Sequence, residues 1–566
     1  MIKHQTFEYR FRMPADEGLI LDVPAICRIK LRTIGNKSEL ADFERRENYA
    51  GHRPGSNFAV EAKIFLTSEL HPNWQTMRIG YPVSELPPDA ELTVRYTGPT
   101  FQLLANGEVL TEEYPFGDPP SVPPVLLPEM AMHGWTPRGL NSWVGDVAVG
   151  CFSDEFHIFY LYDHRHHGSK FGQGGHQWAH LVTTDFKHWR DDGLILPFTE
   201  QWQTYGTGTP FRLNNKLALA YGLHTERTLP EGMGLRGATW AESADGIHFI
   251  PANQIYDTTR NPSVYNIPGG RFRMFTGYGD DLRMLEADRW PEFKLIRSHI
   301  LPCGKDSPMK NCLDCPAWFE WHGTHYMLVG FSGMWSSQTP DFRNAVDLAA
   351  RGEDIYDGLD VPMVAAFQQE RRILAGWLPV AGWGGILGIR ELVYHPDGVL
   401  GIRWMNECMP PHEEYHAIAA DGETGANFYL ELKVRPGENL QLHFDGEGEA
   451  LEFRLDTVLR RAEIAPATRK DVPTKREMAR RDLPDEHTHF AVDHLRWPDK
   501  PFRVRLLARW EYKWAGTVLD VEIAGCRTMM RYFPGSKIQR CIVPCVGLRI
   551  AALSEAPSYR PIAVPR

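Results

Sequence analysis

The sequence of 566 residues contains no long apolar run. Its first residues, MIKHQTFEYRF, have no apolar core of secretory length, and no later stretch approaches the length needed to cross a membrane. We therefore expect a cytoplasmic protein without a membrane partner. The nine cysteines, an odd number in a long chain, fit reduced thiols better than a disulfide framework.

Basic residues, 61 in number, are outnumbered by 72 acidic ones, and helix signals are rare. The net charge of −11 argues against a nucleic-acid groove or an anionic membrane surface as the main partner. Hydrophobic residues make up 43% and charged residues 23%, an ordinary globular balance. The best helix candidate, from Asp341 to Ala350, is short. The sequence therefore predicts an all-β protein.

Short runs of alternating apolar and polar residues fill the chain, separated by turns rich in Gly, Asp, Asn and Pro. The chain is too long for one hydrophobic core. We predict an N-terminal β-rich accessory domain over residues 1–122, a central domain over 128–405 and a C-terminal domain over 412–566. A Pro-rich connection, FGDPPSVPPVLLPE, follows the first domain. The basic stretch from Thr468 to Asp485 is predicted to be an exposed loop.

The central region repeats one theme, in which a strand with a small residue is followed by a turn and an aromatic strand. It occurs in GDVAVGCFSDEFHIFYL, GTGTPFRLNNKLALAYG, RNPSVYNIPGGRFRMFTGY and CPAWFEWHGTHYMLVGF. Repeated four-stranded units are typical of a β-propeller, although a series of β-sandwiches is the alternative. The 17 tryptophans suit a cleft for sugar rings, or simply a β-rich core.

Several segments resemble glycoside hydrolase family 32, which is related to the propeller families 43 and 68. They are NSWVGDVAVGCFSDEFHIFYL, QWAHLVTTDFKHW, RNPSVYN, DCPAWF and ERRILAGWLPVAGWGGILGIREL. The end of the chain, LDVEIAGCRTMMRYFPG, resembles the family's closing β-sandwich strands, whereas the first 120 residues have no counterpart. The resemblance implies a five-bladed catalytic β-propeller, a C-terminal β-sandwich, an oligosaccharide substrate and no cofactor.

Glycoside hydrolysis needs two carboxyl groups, and in the retaining mode one attacks the anomeric carbon while the other protonates the leaving oxygen. The resemblance implies that Asp146 in WVGDVAV is the nucleophile and that Asp314 in LDCPAWF is the acid/base. The family usually has Asn and Pro where this chain has Gly145 and Val147, and Glu where it has Asp314. The shorter Asp side chain requires either an inward shift of the backbone or a larger carboxyl separation. Without the resemblance, both aspartates could be loop residues.

The third acidic residue of the family lies in Arg-Asp-Pro, where this chain has Arg260-Asn261-Pro262. Asn keeps the shape and one acceptor of Asp but loses its charge. Either the substrate differs from a plain fructoside, or Asp257, Asp280 or Asp281 supplies the charge, or the activity is weak. We expect Arg260 and Asn261 to bind sugar hydroxyls.

A second set of residues occupies positions where the family contacts sugar, although each could instead be a packing residue. These substrate-binding candidates are Trp143, Trp178, His180, Tyr205, Thr207 and Trp383.

Two further motifs invite a metal interpretation. The histidines of DHRHHGSKFGQGGHQWAH match no zinc spacing, and Cys312 and Cys315 form a Cys-x-x-Cys without a second pair nearby. We interpret the first as a polar loop at the pocket mouth and predict no metal.

The resulting hypothesis is a retaining β-fructofuranosidase-like glycoside hydrolase acting on short oligosaccharides. Three alternatives remain open. The first is another furanosidase or a pyranosidase, inverting as in family 43, and the second is a fructosyltransferase. The third is a non-catalytic carbohydrate-binding propeller, with Asn261 as its only support. Homo-oligomerisation is left open.

Overall fold

The structure is a computed structural model, and it describes most of the chain from the first strand to the last. The described residues are 6–12, 18–23, 27–33, 58–65, 76–82, 91–97, 101–113, 124–127, 131–137, 143–163, 176–196, 203–224, 237–257, 259–310, 312–380, 383–417, 421–484, 488–511, 516–542 and 549–553.

Eight strands near the N-terminus form two antiparallel four-stranded sheets, with orders β1-β6-β7-β8 and β2-β3-β4-β5. Their bounds are β1 (Phe7–Arg12), β2 (Gly18–Val23), β3 (Cys27–Thr33), β4 (Phe58–Phe65), β5 (Thr76–Pro82), β6 (Glu91–Tyr96), β7 (Phe101–Ala105) and β8 (Glu108–Glu113). Within β6, Leu92, Val94 and Tyr96 are buried, which is the period of two expected for a strand that covers a core.

Five antiparallel four-stranded units follow and form the blades of a propeller. Blade one contains β10 (Trp143–Phe152), β11 (Glu155–Asp163), β12 (Gln177–Thr183) and β13 (Trp189–Leu196), and a short strand β9 (Val125–Leu126) pairs with β13. Blade two contains β14 (Thr204–Leu213), β15 (Lys216–His224), β16 (Gly237–Ser243) and β17 (Ile250–Pro251).

The other three blades have the same order of strands. Blade three contains β18 (Ser263–Ile267), β19 (Arg271–Tyr278), β20 (Asp281–Ala287) and β21 (Lys294–Arg297). Blade four contains β22 (Pro316–Trp321), β23 (Thr324–Val329), β24 (Gly333–Ser337) and β25 (Val346–Asp347). Blade five contains β26 (Asp360–Phe367), β27 (Arg371–Pro379), β28 (Gly385–Tyr394) and β29 (Leu400–Trp404).

The first strands of the blades lie beside one another around the centre of the propeller. Strand β10 packs against both β14 and β26, β14 packs against β18, and β22 packs against β26. Because each first strand lies between neighbouring blades, β10 and β14 are buried along almost their whole length rather than on alternate residues. Val144 in blade one pairs with Gly385 in blade five, which joins the first blade to the last.

The C-terminal region is a sandwich of two six-stranded sheets, with orders β30-β41-β32-β37-β38-β39 and β31-β40-β33-β34-β35-β36. Its strands are β30 (His416–Ala417), β31 (Asp421–Glu423), β32 (Phe428–Val434), β33 (Leu440–Glu447), β34 (Leu451–Asp456), β35 (Arg461–Pro466), β36 (Phe490–Val492), β37 (Phe502–Glu511), β38 (Gly516–Ile523), β39 (Arg527–Pro534), β40 (Lys537–Ile542) and β41 (Arg549–Ala552). Apolar residues from both sheets form one buried core.

These observations confirm the predicted all-β architecture of an N-terminal β module, a five-bladed propeller and a C-terminal sandwich. The domain bounds themselves stay predictions. Strand β9 already pairs with blade one at residues 125–126, within the Pro-rich connection. Residues 116–123 and 128–129 of that connection lie outside the described residues.

The helix predicted from Asp341 to Ala350 is wrong. Thr339 and Arg343 hydrogen-bond to Asp341 in a turn, and β25 follows as the outer strand of blade four. Only a 3₁₀ turn, Ala349–Arg351, touches the predicted range, and a second lies at Asn406–Cys408. None of the helices in the described parts of the chain is long and apolar enough to cross a bilayer.

The loop predicted from Thr468 to Asp485 is also partly wrong, because it contains helix α1 (Lys475–Arg481). Thr474 accepts a hydrogen bond from the backbone N–H of Glu477, and the Glu477 side chain accepts one from the backbone N–H of Thr474. This reciprocal capping satisfies two N–H groups that a helix start leaves open. The Thr-x-x-Glu spacing was visible in the sequence and could have predicted the helix.

Arg390 in β28 joins the propeller to the sandwich through fully buried ion pairs. Its guanidinium lies 2.7 Å from Asp357 of the propeller and 3.0 Å from Asp520 of the sandwich strand β38. The Nε2 atom of His133 lies 2.7 Å from the other oxygen of Asp520. Removing one member of such a group leaves uncompensated charges in a medium that solvates them poorly.

We expect Arg390→Met to lower the free energy of unfolding by about 3–5 kcal/mol, because two aspartates stay buried without their cation. The matched control is Arg343→Met, which removes an exposed Arg from Asp341 and should cost at most about 1 kcal/mol. Denaturant unfolding followed by fluorescence measures both changes. Equal losses in the two variants would contradict the role given to Arg390.

Candidate active site

Four of the predicted site residues lie on or just before the innermost strands of neighbouring blades. Asp146 lies in β10, where the pairing with β11 shifts between Val144 and Val147. Thr207 lies in β14 at a similar shift, Asn261 precedes β18 and Asp314 precedes β22. A β-bulge turns a side chain away from its regular alternation, which is why bulges occur beside active sites. The propeller thus brings together residues that are up to 168 positions apart in sequence, from Asp146 to Asp314.

The carboxylate of Asp146 is held by donors on both of its oxygens. The Thr207 hydroxyl donates to Oδ2 at 2.5 Å, and Nε1–H of Trp377 in β27 donates to Oδ1 at 3.1 Å. The Cys315 thiol lies 4.0 Å from Oδ2 and 3.1 Å from the Thr207 hydroxyl. The Asp146 side chain is only 7% exposed. These donors stabilise the ionised form and fix its direction, as an attacking carboxylate requires.

Asp314 has a different environment, in which two N–H donors converge on one oxygen of the carboxyl group. Its Oδ1 accepts hydrogen bonds from Nδ2–H of Asn261 and from the backbone N–H of Cys315, both at 2.9 Å. Since an oxygen that accepts two N–H bonds is a poor place for a proton, the acidic proton of Asp314 belongs on Oδ2.

Burial raises the pKa of Asp314 above its ordinary value. The hydrogen bonds from Asn261 and Cys315 and the charge of Arg260 act in the opposite direction but do not cancel the burial. A raised pKa keeps a carboxyl group protonated closer to neutral pH, which a general acid requires. The two aspartates therefore have the contrasting environments expected for a nucleophile and an acid.

The backbone at the Asp314 side of the site adopts the left-handed conformation twice. Asn261 has φ 50° and Cys315 has φ 51°. Residues other than glycine rarely occupy this region, and such residues cluster at functional sites where the surroundings hold them. At Asn261 the conformation accompanies the amide contact with Asp314, and at Cys315 it accompanies the N–H contact with the same carboxyl group.

Trp383 explains why this chain has Gly145 beside Asp146. A Cβ atom at residue 145 would lie 2.1 Å from Cη2 of Trp383, so any larger residue would displace the ring. The indole also stacks on the ring of His176, with centroids 4.0 Å apart, and packs against Trp377, with centroids 5.4 Å apart. The Trp383 ring therefore occupies the space that a side chain at residue 145 would need.

The structure corrects the predicted sugar contacts at Trp143, Trp178, His180 and Tyr205. All four are buried, with 0% exposure for the first three and 2% for Tyr205. Trp143 lies in the core cluster around β10, whereas Trp178 and Tyr205 pack in the cluster between blades one and two. A side chain with no exposed surface cannot touch a sugar in this conformation.

The ring of His180 belongs to a buried polar pair instead. Its Nδ1 lies 2.9 Å from Asp192, and its Nε2 lies 3.0 Å from Nδ1 of His157. Burial lowers the pKa of His157 to about 3 and also lowers the pKa of His180. Both rings are therefore neutral at neutral pH. Thr207 is also fully buried, and the contacts described for it are with Asp146 and Cys315.

Arg260 is exposed beside the site, and its charge contributes to the lowered pKa of His224 and partly opposes the burial that raises the pKa of Asp314. The acidic residues considered as replacements for the missing carboxylate form contacts of their own. Asp257 accepts hydrogen bonds from the N–H and hydroxyl of Thr259, and Asp281 pairs with Arg283 at 2.5 Å.

Sequence reasoning missed three residues that contact the predicted ones. Trp377 donates to Asp146, His176 stacks on Trp383, and His224 lies beside Asn261. Trp377 belongs to a Gly-Trp pair within the most specific segment of the resemblance, so that motif could have indicated it. His176 lies in the histidine-rich segment that we interpreted as a polar loop at the pocket mouth, whereas His224 lies in no motif that points to its contact.

Within the described residues, no group of three His, Cys, Asp or Glu side chains is close enough to hold a metal ion. Most of the histidine-rich segment DHRHHGSKFGQGGHQWAH falls in residues 164–175, which lie outside the described residues.

The central region of the chain matches a known protein family. Residues 142–380 match the family described as "Glycosyl hydrolases family 32 N-terminal domain". The chain is a family 32-like glycoside hydrolase. Asp146, Asn261, Asp314 and Trp377 all lie within the matched residues, and Trp383 follows three positions after them.

Solved structures of family 32 enzymes share the fold at low sequence identity. An exo-inulinase from Aspergillus awamori is 12% identical with a TM-score of 0.54, and the match covers 76% of this chain and 99% of that one. A β-fructofuranosidase from Bombyx mori is 14% identical with a TM-score of 0.54, covering 76% and 94%. A sucrose-6-phosphate hydrolase from Lactobacillus gasseri is 13% identical with a TM-score of 0.56, covering 75% and 93%.

Proposed function

We propose that this glycoside hydrolase is a retaining β-fructofuranosidase-like enzyme that acts on short oligosaccharides. The observation that carries the proposal is the contrast between its two aspartates. Both oxygens of Asp146 accept hydrogen bonds, which favour a carboxylate, whereas burial raises the pKa of Asp314, whose Oδ1 accepts the described N–H bonds. A retaining hydrolase needs this pair of states.

In the proposed reaction, Asp146 attacks the anomeric carbon while Asp314 donates its Oδ2 proton to the leaving oxygen. The glycosidic bond breaks, the leaving sugar departs as an alcohol, and an ester forms between the remaining sugar and Asp146. Asp314, now ionised, takes a proton from a water molecule that attacks the same carbon. The ester bond breaks, which restores the Asp146 carboxylate and the protonated Asp314.

The names of the structural relatives support a fructoside as the substrate. One is an exo-inulinase, others are β-fructofuranosidases, and a variant of the Bombyx mori enzyme was solved in complex with sucrose. Inulin and sucrose are both fructofuranosides, so a β-linked fructosyl unit is the sugar we propose to bind beside Asp146.

Three differences from the family favour a second candidate, a furanosidase for a different sugar on the same scaffold. The Trp383 ring fills the space beside Gly145, and Asn261 lacks the charge of the family's Asp. Both changes alter the pocket around the proposed nucleophile, and Asp314 replaces Glu in the same place. Three differences around one pocket fit an altered substrate better than an unselected loss of function.

A substrate screen tests the proposal directly. Purified protein is incubated with sucrose, short fructans, α-L-arabinofuranosides and β-xylosides, and chromatography measures the products. We expect release of fructose from sucrose or a short fructan. Hydrolysis of another furanoside alone would favour the second candidate. Sugar binding without turnover of any of them would favour a non-catalytic propeller and contradict the proposal.

Asn261→Asp tests how the missing carboxylate affects the site. A negative charge at this position raises the pKa of the neighbouring Asp314, because like charges disfavour ionisation. A protonated acid then persists to higher pH, so the basic limb of the pH–rate profile should move upward. We expect a lower rate on the true substrate, by about tenfold, since a changed pocket suits the present Asn.

The control for this variant is Asn215→Asp, which adds the same charge at an exposed turn between β14 and β15. It should leave both the rate and the pH profile unchanged. A clear gain on sucrose in the Asn261→Asp protein would instead restore the interpretation as a simple fructosidase that has lost its third carboxylate.

A further inference from the structure

His224 lies at the end of β15 and reaches the candidate site from the second strand of blade two. Its Nε2 atom lies 3.3 Å from Oδ1 of Asn261. On the other side of the amide, Nδ2–H of Asn261 donates to Oδ1 of Asp314 at 2.9 Å. The three side chains therefore form one chain of hydrogen bonds that ends on the proposed acid.

Two glycines make the space in which His224 and Asn261 meet. A Cβ atom at Gly206, in the bulge of β14, would lie 2.0 Å from Nε2 of His224 and 2.4 Å from Oδ1 of Asn261. A Cβ atom at Gly222 would lie 2.8 Å from the imidazole ring and 3.2 Å from the backbone nitrogen of Asn261. The neighbouring strands thus fit closely around this pair, and only glycine leaves the room for it.

The imidazole of His224 is neutral at the pH where cells work. Burial lowers its pKa to about 4, and the nearby positive charge of Arg260 acts in the same direction. Asp314 is the ionisable group beyond Asn261, and Asp146 lies beyond Cys315. A neutral imidazole carries one N–H, and the hydrogen bond made by each ring nitrogen decides which of them has it.

The orientation of the Asn261 amide determines which ring nitrogen of His224 carries the proton. Its NH₂ group faces Asp314, so its carbonyl oxygen faces His224 and needs a donor. A neutral His224 protonated on Nε2 supplies that donor. If the proton were on Nδ1, two acceptors would face each other, and the amide would gain by turning over and presenting its oxygen to Asp314.

We propose that His224 is a positioning residue that, by donating from Nε2–H to Asn261, keeps the amide turned toward Asp314 and so confines the transferable proton to Oδ2. This inference rests on the proposed function, in which Asp314 is the acid. It extends that function by giving the uncharged Asn261 a defined task that an Asp at the same position could not perform, since a carboxylate has no N–H to donate to Asp314.

His224→Phe removes the donor and keeps the size of the ring. Without the contact the Asn261 amide is free to turn over, and the Asp314 carboxylate loses a donor that lowers its pKa. We expect the basic limb of the kcat/KM profile to move upward by about one pH unit, and kcat on a substrate with a poor leaving group to fall about tenfold. KM should change little, and an activated aryl glycoside should lose much less. His224→Gln, which retains an N–H donor, should recover part of both effects.

The matched control is His157→Phe. His157 is also buried, its pKa is also lowered by burial, and it contacts His180 rather than Asp314. This variant should leave the pH profile unchanged. A shift of equal size in both variants, or an unchanged profile in a folded His224→Phe protein, would overturn the proposal.

Two NMR measurements test the positioning role of His224 without the need for turnover. Protein labelled with ¹³C at the Asp carboxyl groups gives the pKa of Asp314, with Asp314→Asn used for assignment, and that pKa should rise in His224→Phe but not in His157→Phe. The ¹⁵N shifts of the wild-type protein should show His224 protonated on Nε2, and protonation on Nδ1 would overturn the proposal even if the variant fails to fold. If the pKa of Asp314 rises in His224→Phe and His224 is protonated on Nε2, but no glycoside is hydrolysed, the proposed function fails and the positioning role stands.

Discussion

Replacing Asp146 with Asn is expected to lower kcat/KM by at least about 10⁴-fold on every glycoside that the enzyme cleaves. An amide has nearly the same shape as a carboxylate but is a poor nucleophile, so the covalent step is lost. The fold should survive, because the Oδ1 atom of the amide still accepts from Trp377 and the side chain keeps its volume. Initial rates measure the loss of activity, and the thermal midpoint of unfolding shows whether the fold survives.

The control for this variant is Asp154→Asn, which makes the same change at the exposed turn between β10 and β11 of the same blade. It should retain the wild-type rate. If Asp146→Asn kept more than about a tenth of the wild-type rate, the loss would be far too small for the removal of a covalent nucleophile. Asp146 would then have another role.

Replacing Asp314 with Asn should have an effect that depends on the leaving group. On natural oligosaccharides, whose leaving alkoxide must be protonated, we expect a loss of about 10²–10⁴-fold. On an activated aryl glycoside, whose leaving phenolate needs little help, cleavage of the glycosidic bond should be much less affected. Pre-steady-state measurement of the released phenol separates this step from the later hydrolysis of the glycosyl-enzyme.

Asp288→Asn serves as the control for this second variant, since Asp288 is exposed just after β20 and lies outside the site. It should leave both classes of substrate unchanged. Equal losses on both classes in Asp314→Asn would remove Asp314 from the role of acid. The pH profile of the wild-type enzyme should also have a basic limb above the ordinary range of an Asp, because burial raises the pKa of Asp314.

Much of the fold was predictable because each strand is marked by local patterns in the sequence. Alternation such as that in FYLELKV, together with turns rich in Gly and Asn, defines strands locally. The repeat of one strand theme in the central region then predicted the propeller. The two errors concern short elements, α1 and β25, for which a few residues carry too little periodicity, although the Thr-x-x-Glu capping signal of α1 was present.

The candidate site was predictable only in part. Asp146, Asn261 and Asp314 were found through motif resemblance, and they lie at the innermost strands of blades one, three and four. Trp143, Trp178 and His180 were predicted from the same resemblance, with packing as the alternative, and a residue within a blade can face either the central cleft or the neighbouring blade. Periodicity does not distinguish these two directions, because β10 and β12 are covered on both faces.

His224 could not have been found from sequence, for a different physical reason. It reaches Asn261 across two strands, and the contact depends on the space left by Gly206 and Gly222. Each of these residues has an ordinary local interpretation as part of a strand. Only their placement in three dimensions shows that they surround one hydrogen-bonded pair.

Trapping the covalent intermediate tests the central claim most directly. In the Asp314→Asn protein, an activated aryl fructofuranoside should still transfer its sugar to Asp146, whereas the following hydrolysis lacks its base and becomes slow. Acid quenching, proteolysis and mass spectrometry should then find one hexosyl group on the peptide that contains Asp146. A hexosyl group on a different peptide would contradict the account, as would product of inverted anomeric configuration with no adduct.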